Sequence, residues 1–198
     1  MKLSEIFKNS AKELKNTRSL AVTGLLVAVY VVLNTFVAVN TMGLKITFGY
    51  LALASIAMLY GPVAAMVAAV PCDLITAMAV GLGINLVFTP IQMLEALIYG
   101  MLLYDLRFWG RTRLNVFQTI KIILARVLVV ALCHMILNTT VLYYMLGVSS
   151  NSFFVFFSGR LTKNLAQFPV DIILMALLLP AVKLAFDKTG ITGRGRKS

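Results

Sequence analysis

Four residues in the last third of this sequence are the best placed to do chemistry: Arg160, Asn164, Gln167 and Asp171. Their steps of four, three and four put them on one face of a helix. The segment that carries them, Arg160-Leu-Thr-Lys163-Asn164-Leu-Ala-Gln167-Phe-Pro-Val-Asp171, opens the last apolar stretch rather than a loop. Cations and amides within hydrocarbon are costly and mark a pathway or a ligand site. A guanidinium, two amides and a carboxylate on one face suit a polar, anionic small molecule bound by charge-assisted hydrogen bonds.

The elements that position this face follow from composition. Of 198 residues, 60% are hydrophobic and 13% charged, and mean hydropathy is +0.92; a soluble domain has roughly 45–50% apolar and about 25% charged residues. This is an all-α integral membrane chain. Apolar runs near 20–40, 46–60, 63–80, 86–105, 121–147 and 153–186 read as six transmembrane helices in one bundle. The second and third runs are short and Gly61-Pro62 between them is a tight-turn signal, so they form a closely joined pair. The chain divides into an N-terminal segment 1–19, a membrane domain 20–186 and a basic tail 187–198. Residues 1–19 do not read as a cleavable signal peptide, because the following run is long for one and no A-x-A-like site follows. Cys72 and Cys133 fall inside apolar runs and read as small buried hydrophobes.

The net charge of +11 has a topological explanation. Fourteen of the eighteen basic residues cluster before the first run, around the fourth connection and at the end of the chain. Six helices place all three clusters on one side, and the positive-inside rule makes that side cytoplasmic, so both termini are expected inside. The tails are short and lack interleaved aromatics, which argues against nucleic acid as a partner.

With that topology the polar residues sort by depth. Lys45, Asn85, Gln92, Glu95, Asn138, Tyr143, Arg160, Lys163 and Asn164 share the outer half, which predicts a pocket open to the outside. Several readings compete. Lys163 and Arg160 snorkel or clamp an anion; Asp73, just after Pro71, accepts from backbone freed by the proline or pairs with a cation. Glu95 is costly in lipid unless paired, protonated or ligand-facing. His134 is expected as a helix–helix partner, Asp171 as a partner of His134 or Asn34, and Arg126 as a snorkelling residue at the inner end of the fifth helix. In the first helix Gly24 and Ala28 form a small-xxx-small pair, with Ala21 and Thr23 flattening the surface beside it, suited either to close approach of another protein or to packing within the bundle.

Energising and catalytic signatures are missing. There is no G-x-x-x-x-G-K-[ST], H-E-x-x-H or G-x-S-x-G. Asp73, Glu95 and Asp171 read as isolated acids on three helices, so no metal site, catalytic residue or cofactor is expected. A binding subunit energised by partners fits better than an enzyme.

Leu44-Lys-Ile-Thr-Phe-Gly-Tyr50, Tyr60-Gly-Pro62, Asp73-Leu-Ile, Phe88-Thr-Pro and Ile98-Tyr-Gly100 together resemble the substrate-binding S component of energy-coupling factor (ECF) vitamin transporters. Leu137-Asn-Thr139 and Arg160 to Pro169 look most like the folate-specific branch. The resemblance spans residues 20–185. It implies a six-helix, multi-pass protein of a prokaryotic cell membrane that binds its vitamin from outside. It then docks on a membrane coupling subunit bound to two ATPases and topples to deliver the ligand, with Ala21, Gly24 and Ala28 as the docking face. A ligand with a pterin, an aromatic linker and a glutamate tail would suit Lys45, Arg160 and Lys163 at its carboxylates. Asp73, Gln92, Glu95, Asn138, Asn164 and Gln167 would take the pterin edge, and Phe48, Phe88 and Tyr143 would stack. Two alternatives remain: an S component for pantothenate, pyridoxine or a queuosine precursor, and a membrane enzyme acting on lipid-linked substrates.

Overall fold

The computed structural model describes residues 3–41, 44–81, 86–104, 106, 116–145 and 153–188. The chain opens with α1 (Leu3–Glu13), then α2 (Thr17–Thr35), a short antiparallel pair β1 (Val39–Thr41) and β2 (Leu44–Ile46), α3 (Tyr50–Ala79) and α4 (Thr89–Leu103). After these come α5 (Val116–Leu128), a π-helical segment Val129–Asn138, α6 (Thr139–Met145) and α7 (Phe153–Lys188). Among the described residues, four helical stretches are long and apolar enough to cross a membrane: Thr17–Thr35, Tyr50–Ala79, Val116–Met145 and Phe153–Lys188. Thr89–Leu103 is apolar but shorter.

Within the N-terminal segment, residues 3–13 form a helix packed on α3. The all-helical bundle carries one short hairpin among the described residues: the end of the first apolar run leaves the helix after Thr35 and pairs, Val39 opposite Ile46 and Asn40 opposite Lys45. β-branched residues on a pleated edge favour this over a further turn of helix. Asn34 fixes the hairpin's return, its side-chain oxygen accepting from the Gly49 amide at 3.0 Å.

The joined pair is present. α3 is broken at Gly61, whose φ of 86° and ψ of −175° lie outside the helical region and suit only glycine. Pro62 then opens the second half, where its missing N–H costs nothing. A helix start needs a side-chain acceptor for its next amides, and Gly61 has none. Ser10 of α1 supplies it, its hydroxyl accepting from Val63 N at 3.0 Å and Ala64 N at 3.1 Å. Gly100 of α4 packs against the break so closely that a Cβ there would lie 2.3 Å from Pro62 Cα.

The core is built on α3, where Ala54, Ala57, Ala65 and Ala69 are fully buried. Small side chains let α2 and α4 approach closely, as in membrane helix packing generally. Cys72 and Cys133 are buried free thiols.

Candidate functional site

Arg126 is the hub of the polar interior. It projects from α5 with 3% of its surface exposed. Its Nε and Nη2 donate to Asp171 Oδ2 of α7 at 3.0 and 2.6 Å, and its Nη1 donates to the Tyr99 hydroxyl of α4 at 2.7 Å. The guanidinium also lies 4.0 Å from the centre of the Tyr50 ring of α3, a favourable cation–π placement. Four elements therefore meet at one side chain.

This overturns three expectations. Arg126 does not snorkel, since the carboxylate of Asp171 is within reach and pairing offsets the cost of an unscreened charge. Asp171 pairs with Arg126 rather than with His134 or Asn34. Nor are the acids isolated. Glu95 Oε1 lies 3.9 Å from Arg126 Nη1 and its Oε2 lies 3.9 Å from His134 Nε2. One guanidinium thus faces two carboxylates, and Asp171 holds the tighter share. Glu95 is left as an acid with acceptor capacity to spare, beside a histidine whose side chain is 30% exposed.

The predicted α7 face is present, on a single helix. Asp171 is buried, and Gln167 Nε2 donates to its Oδ1 at 3.2 Å. Asn164 Nδ2 donates to Met135 Sδ at 3.1 Å. Arg160 is half-buried and its guanidinium lies 5.8 Å from the Phe156 ring centre; Lys163 is also half-buried. Beyond them Tyr143 of α6 meets Phe153 edge to face at 5.2 Å and Phe156 at 6.1 Å, which ties the end of α6 to the start of α7.

The remaining candidates form other stations. Gln92 is buried and its amide donates to the Tyr30 hydroxyl of α2. Asp73 Oδ2 accepts from the Thr89 hydroxyl at 2.5 Å, joining the end of α3 to the start of α4. Phe88, half-buried, stands just before α4, and its carbonyl accepts from Gln92 N. Phe48 packs against the core. Asn138 ends the π-helical segment with its side-chain oxygen buried and unpartnered. Lys45 stands in β2, but its side chain, like Asn85, lies outside the described residues. No group of three or more His, Cys, Asp or Glu suited to a metal occurs among the described residues.

The sequence reading missed Arg126, Tyr99, Tyr50 and Tyr30 as parts of this interior. A signal existed for the first: a cation inside an apolar helix requires an acid, and Asp171 is one of four acids, with Asp73, Glu95 and Asp105, between residues 20 and 186. The tyrosines gave none, because a tyrosine in an apolar run looks the same whether or not its hydroxyl is used. The π-helical turns also carried no sequence mark. They widen the helix so that the Thr139 hydroxyl reaches the His134 carbonyl five residues back at 2.8 Å, and such segments concentrate at functional sites.

On α2 the outward surface is clear. Ala21, Gly24 and Ala28 are exposed, and a Cβ on Gly24 would meet nothing within 4 Å. Thr23 does not share that surface; it is buried and its hydroxyl donates to the Ser19 carbonyl at 2.8 Å.

An apolar cavity of about 300 Å³ lies beside this network, between the π-helical segment and α7, with Met135, Leu161, Asn164 and Phe168 in its lining.

Comparison with known proteins gives the same class. The chain is 30% identical over 169 residues, 83% of its length and 85% of the relative's, to the folate transporter FolT of Leuconostoc mesenteroides subsp. mesenteroides. A crystal structure of FolT bound with folic acid aligns with a TM-score of 0.70 at 30% identity, covering 83% of this chain and 92% of that one. Residues 14–184 match the sequence model of the ECF-type riboflavin transporter S component. Since that match takes in nearly every helix and the whole polar interior, the chain belongs to the family of ECF-type transporter S components, which are substrate-binding membrane subunits and not enzymes.

Proposed function

We propose that the protein is the folate-binding S component of an ECF-type uptake transporter. The observation that carries this reading is the likeness, in sequence and in fold, to FolT with folic acid bound. The polar interior supports it. Glu95, the carboxylate left over from the Arg126 pair, suits the N–H donors of a pterin edge, with Gln92, Asn138, Asn164, Gln167 and Asp73 as further partners. Arg160, Lys163 and Lys45 suit the glutamate tail, because carboxylates bind cations through the stronger charge-assisted bonds. Phe48, Phe88 and Tyr143 supply ring surface.

The chain crosses the membrane six times with both termini in the cytoplasm. Each half of α3 is one crossing, turning at Gly61-Pro62, and Thr89–Leu103 is the fourth. Ligand enters from outside, and the S component then docks on a membrane coupling subunit carrying two ATPases and topples inward. The Ala21/Gly24/Ala28 surface is the docking face: it is exposed, and a Cβ on Gly24 would meet nothing within 4 Å.

Calorimetry on purified protein tests the ligand. Folate should bind with nanomolar affinity, about −12 kcal/mol at 1 nM. Riboflavin, the vitamin named for the matched family model, should bind at least a hundredfold more weakly. Tighter binding of riboflavin, or no binding of folate at micromolar concentration, overturns the assignment.

A further inference from the structure

α1 takes no part in the reading above, yet its two sides differ chemically. Its inner side is seated. Ser10 is fully buried and caps the second half of α3, and Leu14, just past its end, packs against the core. The seat is stapled at its far end, where the Ser19 hydroxyl of α2 donates to Glu13 Oε2 at 2.7 Å. Its outer side is cationic. Lys8 and Lys12, four apart on α1, form one stripe, extended by Lys15 in the turn that follows and by Arg18 in the first turn of α2. All four are exposed, and none makes an ion pair among the described residues. Glu5 is the one exposed acid of α1.

The position of this stripe selects its partner. The apolar span of α2 begins at Thr17, four residues after α1 ends, so α1 lies where a helix enters hydrocarbon, level with lipid headgroups. An amphipathic helix with lysines on its polar side and its other side covered fits that plane. We propose that α1 is an interfacial strap: Lys8, Lys12 and Lys15 bind anionic lipid headgroups of the adjacent leaflet, while Ser10 holds the strap across the break in α3. The inference draws on the transport reading only to name that leaflet as cytoplasmic. Lipid charge is thereby linked to the seat of the α3 break, because headgroups that hold α1 in place also hold the Ser10 cap.

The test uses the full chain in nanodiscs of neutral phosphatidylcholine and of phosphatidylcholine with phosphatidylglycerol, following hydrogen exchange of the α1 amides. In low salt, exchange should be at least tenfold slower in the anionic discs, since each basic side chain near such a surface supplies roughly a fivefold factor. Molar salt should erase the difference, and so should the combined change Lys8→Gln, Lys12→Gln and Lys15→Gln. Ser10→Ala should speed exchange in both lipids and leave their ratio intact. Equal exchange in both lipids, or a lipid response that survives the triple change, overturns the strap. Protection that appears only on adding the coupling subunit and ATPases also overturns it, and makes the stripe a protein contact. Folate binding by the triple variant, measured in the same discs, should be unchanged. If the wild-type chain binds no folate, the transport assignment fails while the lipid result still decides this one.

Discussion

α3 and α7 are both long apolar helices, and they hold their places by opposite means. In the most apolar stretch of Tyr50–Ala79, 78% of residues are buried, against 22% in that of Phe153–Lys188. α3 packs alanine and glycine surfaces against α2 and α4 and uses little polar chemistry. α7 buries few residues, among them Asp171, Met175, Leu179 and Pro180, and turns most of its surface outward. It is tied to the bundle through Asp171 on Arg126 and Asn164 on Met135, with Gln167 bracing Asp171 from within α7. In lipid there is no hydrophobic gain from helix contact, so a lightly packed helix depends on such bonds. The helix held this way is also the one that carries Arg160, Asn164, Gln167 and Asp171 on one face.

The largest effect is expected at the hub. Arg126→Ala leaves Asp171 and Glu95 buried without a cation and should destabilise the protein by about 3–5 kcal/mol, with α7 the first helix to loosen. Thermal unfolding in detergent and helix-resolved hydrogen exchange would show it. Exchange that quickens first in α3 would mean that α7 is held by packing after all.

Arg160→Ala separates ligand binding from stability on the same helix. Affinity for folate should fall by about 2–5 kcal/mol, the cost of losing one partner of a buried charge pair, while the melting temperature stays near its original value. A pterin without the glutamate tail should lose far less. Equal losses for both ligands would remove Arg160 from the tail.

On the packed side, Gly100→Ala forces a Cβ onto the Pro62 backbone and should cost about 1–3 kcal/mol, as overpacking does. The loss should appear in stability and not in the relative affinities of folate and the truncated pterin. An unaltered melting temperature would show that α4 can move away from the α3 break freely.

The smallest effect on binding belongs to the outward surface of α2. Gly24→Trp places a bulky ring in open space, so folate affinity should change by less than about 0.5 kcal/mol, as for surface substitutions generally. Uptake by cells making the coupling subunit and ATPases should be abolished. Surviving uptake would rule this face out as the docking surface.

Much of this was legible in the residues. The apolar runs, the Gly61-Pro62 break and the α7 face each rest on short-range facts: hydrocarbon must be matched by hydrocarbon, glycine alone takes the required φ, and helical spacing puts Arg160, Asn164, Gln167 and Asp171 together. The Tyr60-Gly-Pro62 and Ile98-Tyr-Gly100 motifs were visible as family marks, but their joint purpose was not. Gly100 is small because Pro62 lies against it, and Tyr99 is a tyrosine because Arg126 donates to it.

The sequence by itself decided that the chain is a membrane helix bundle with a polar face on its last helix, because composition and periodicity act within one segment at a time. Only the tertiary structure decided which charges meet. Arg126 lies 45 residues from Asp171 and 31 from Glu95, and Ser10 lies 53 from the amide it caps. A helix shows where a side chain points along its own axis, but which helix stands opposite is set by how closely small residues let helices approach. That is a property of pairs of segments, which no single segment records.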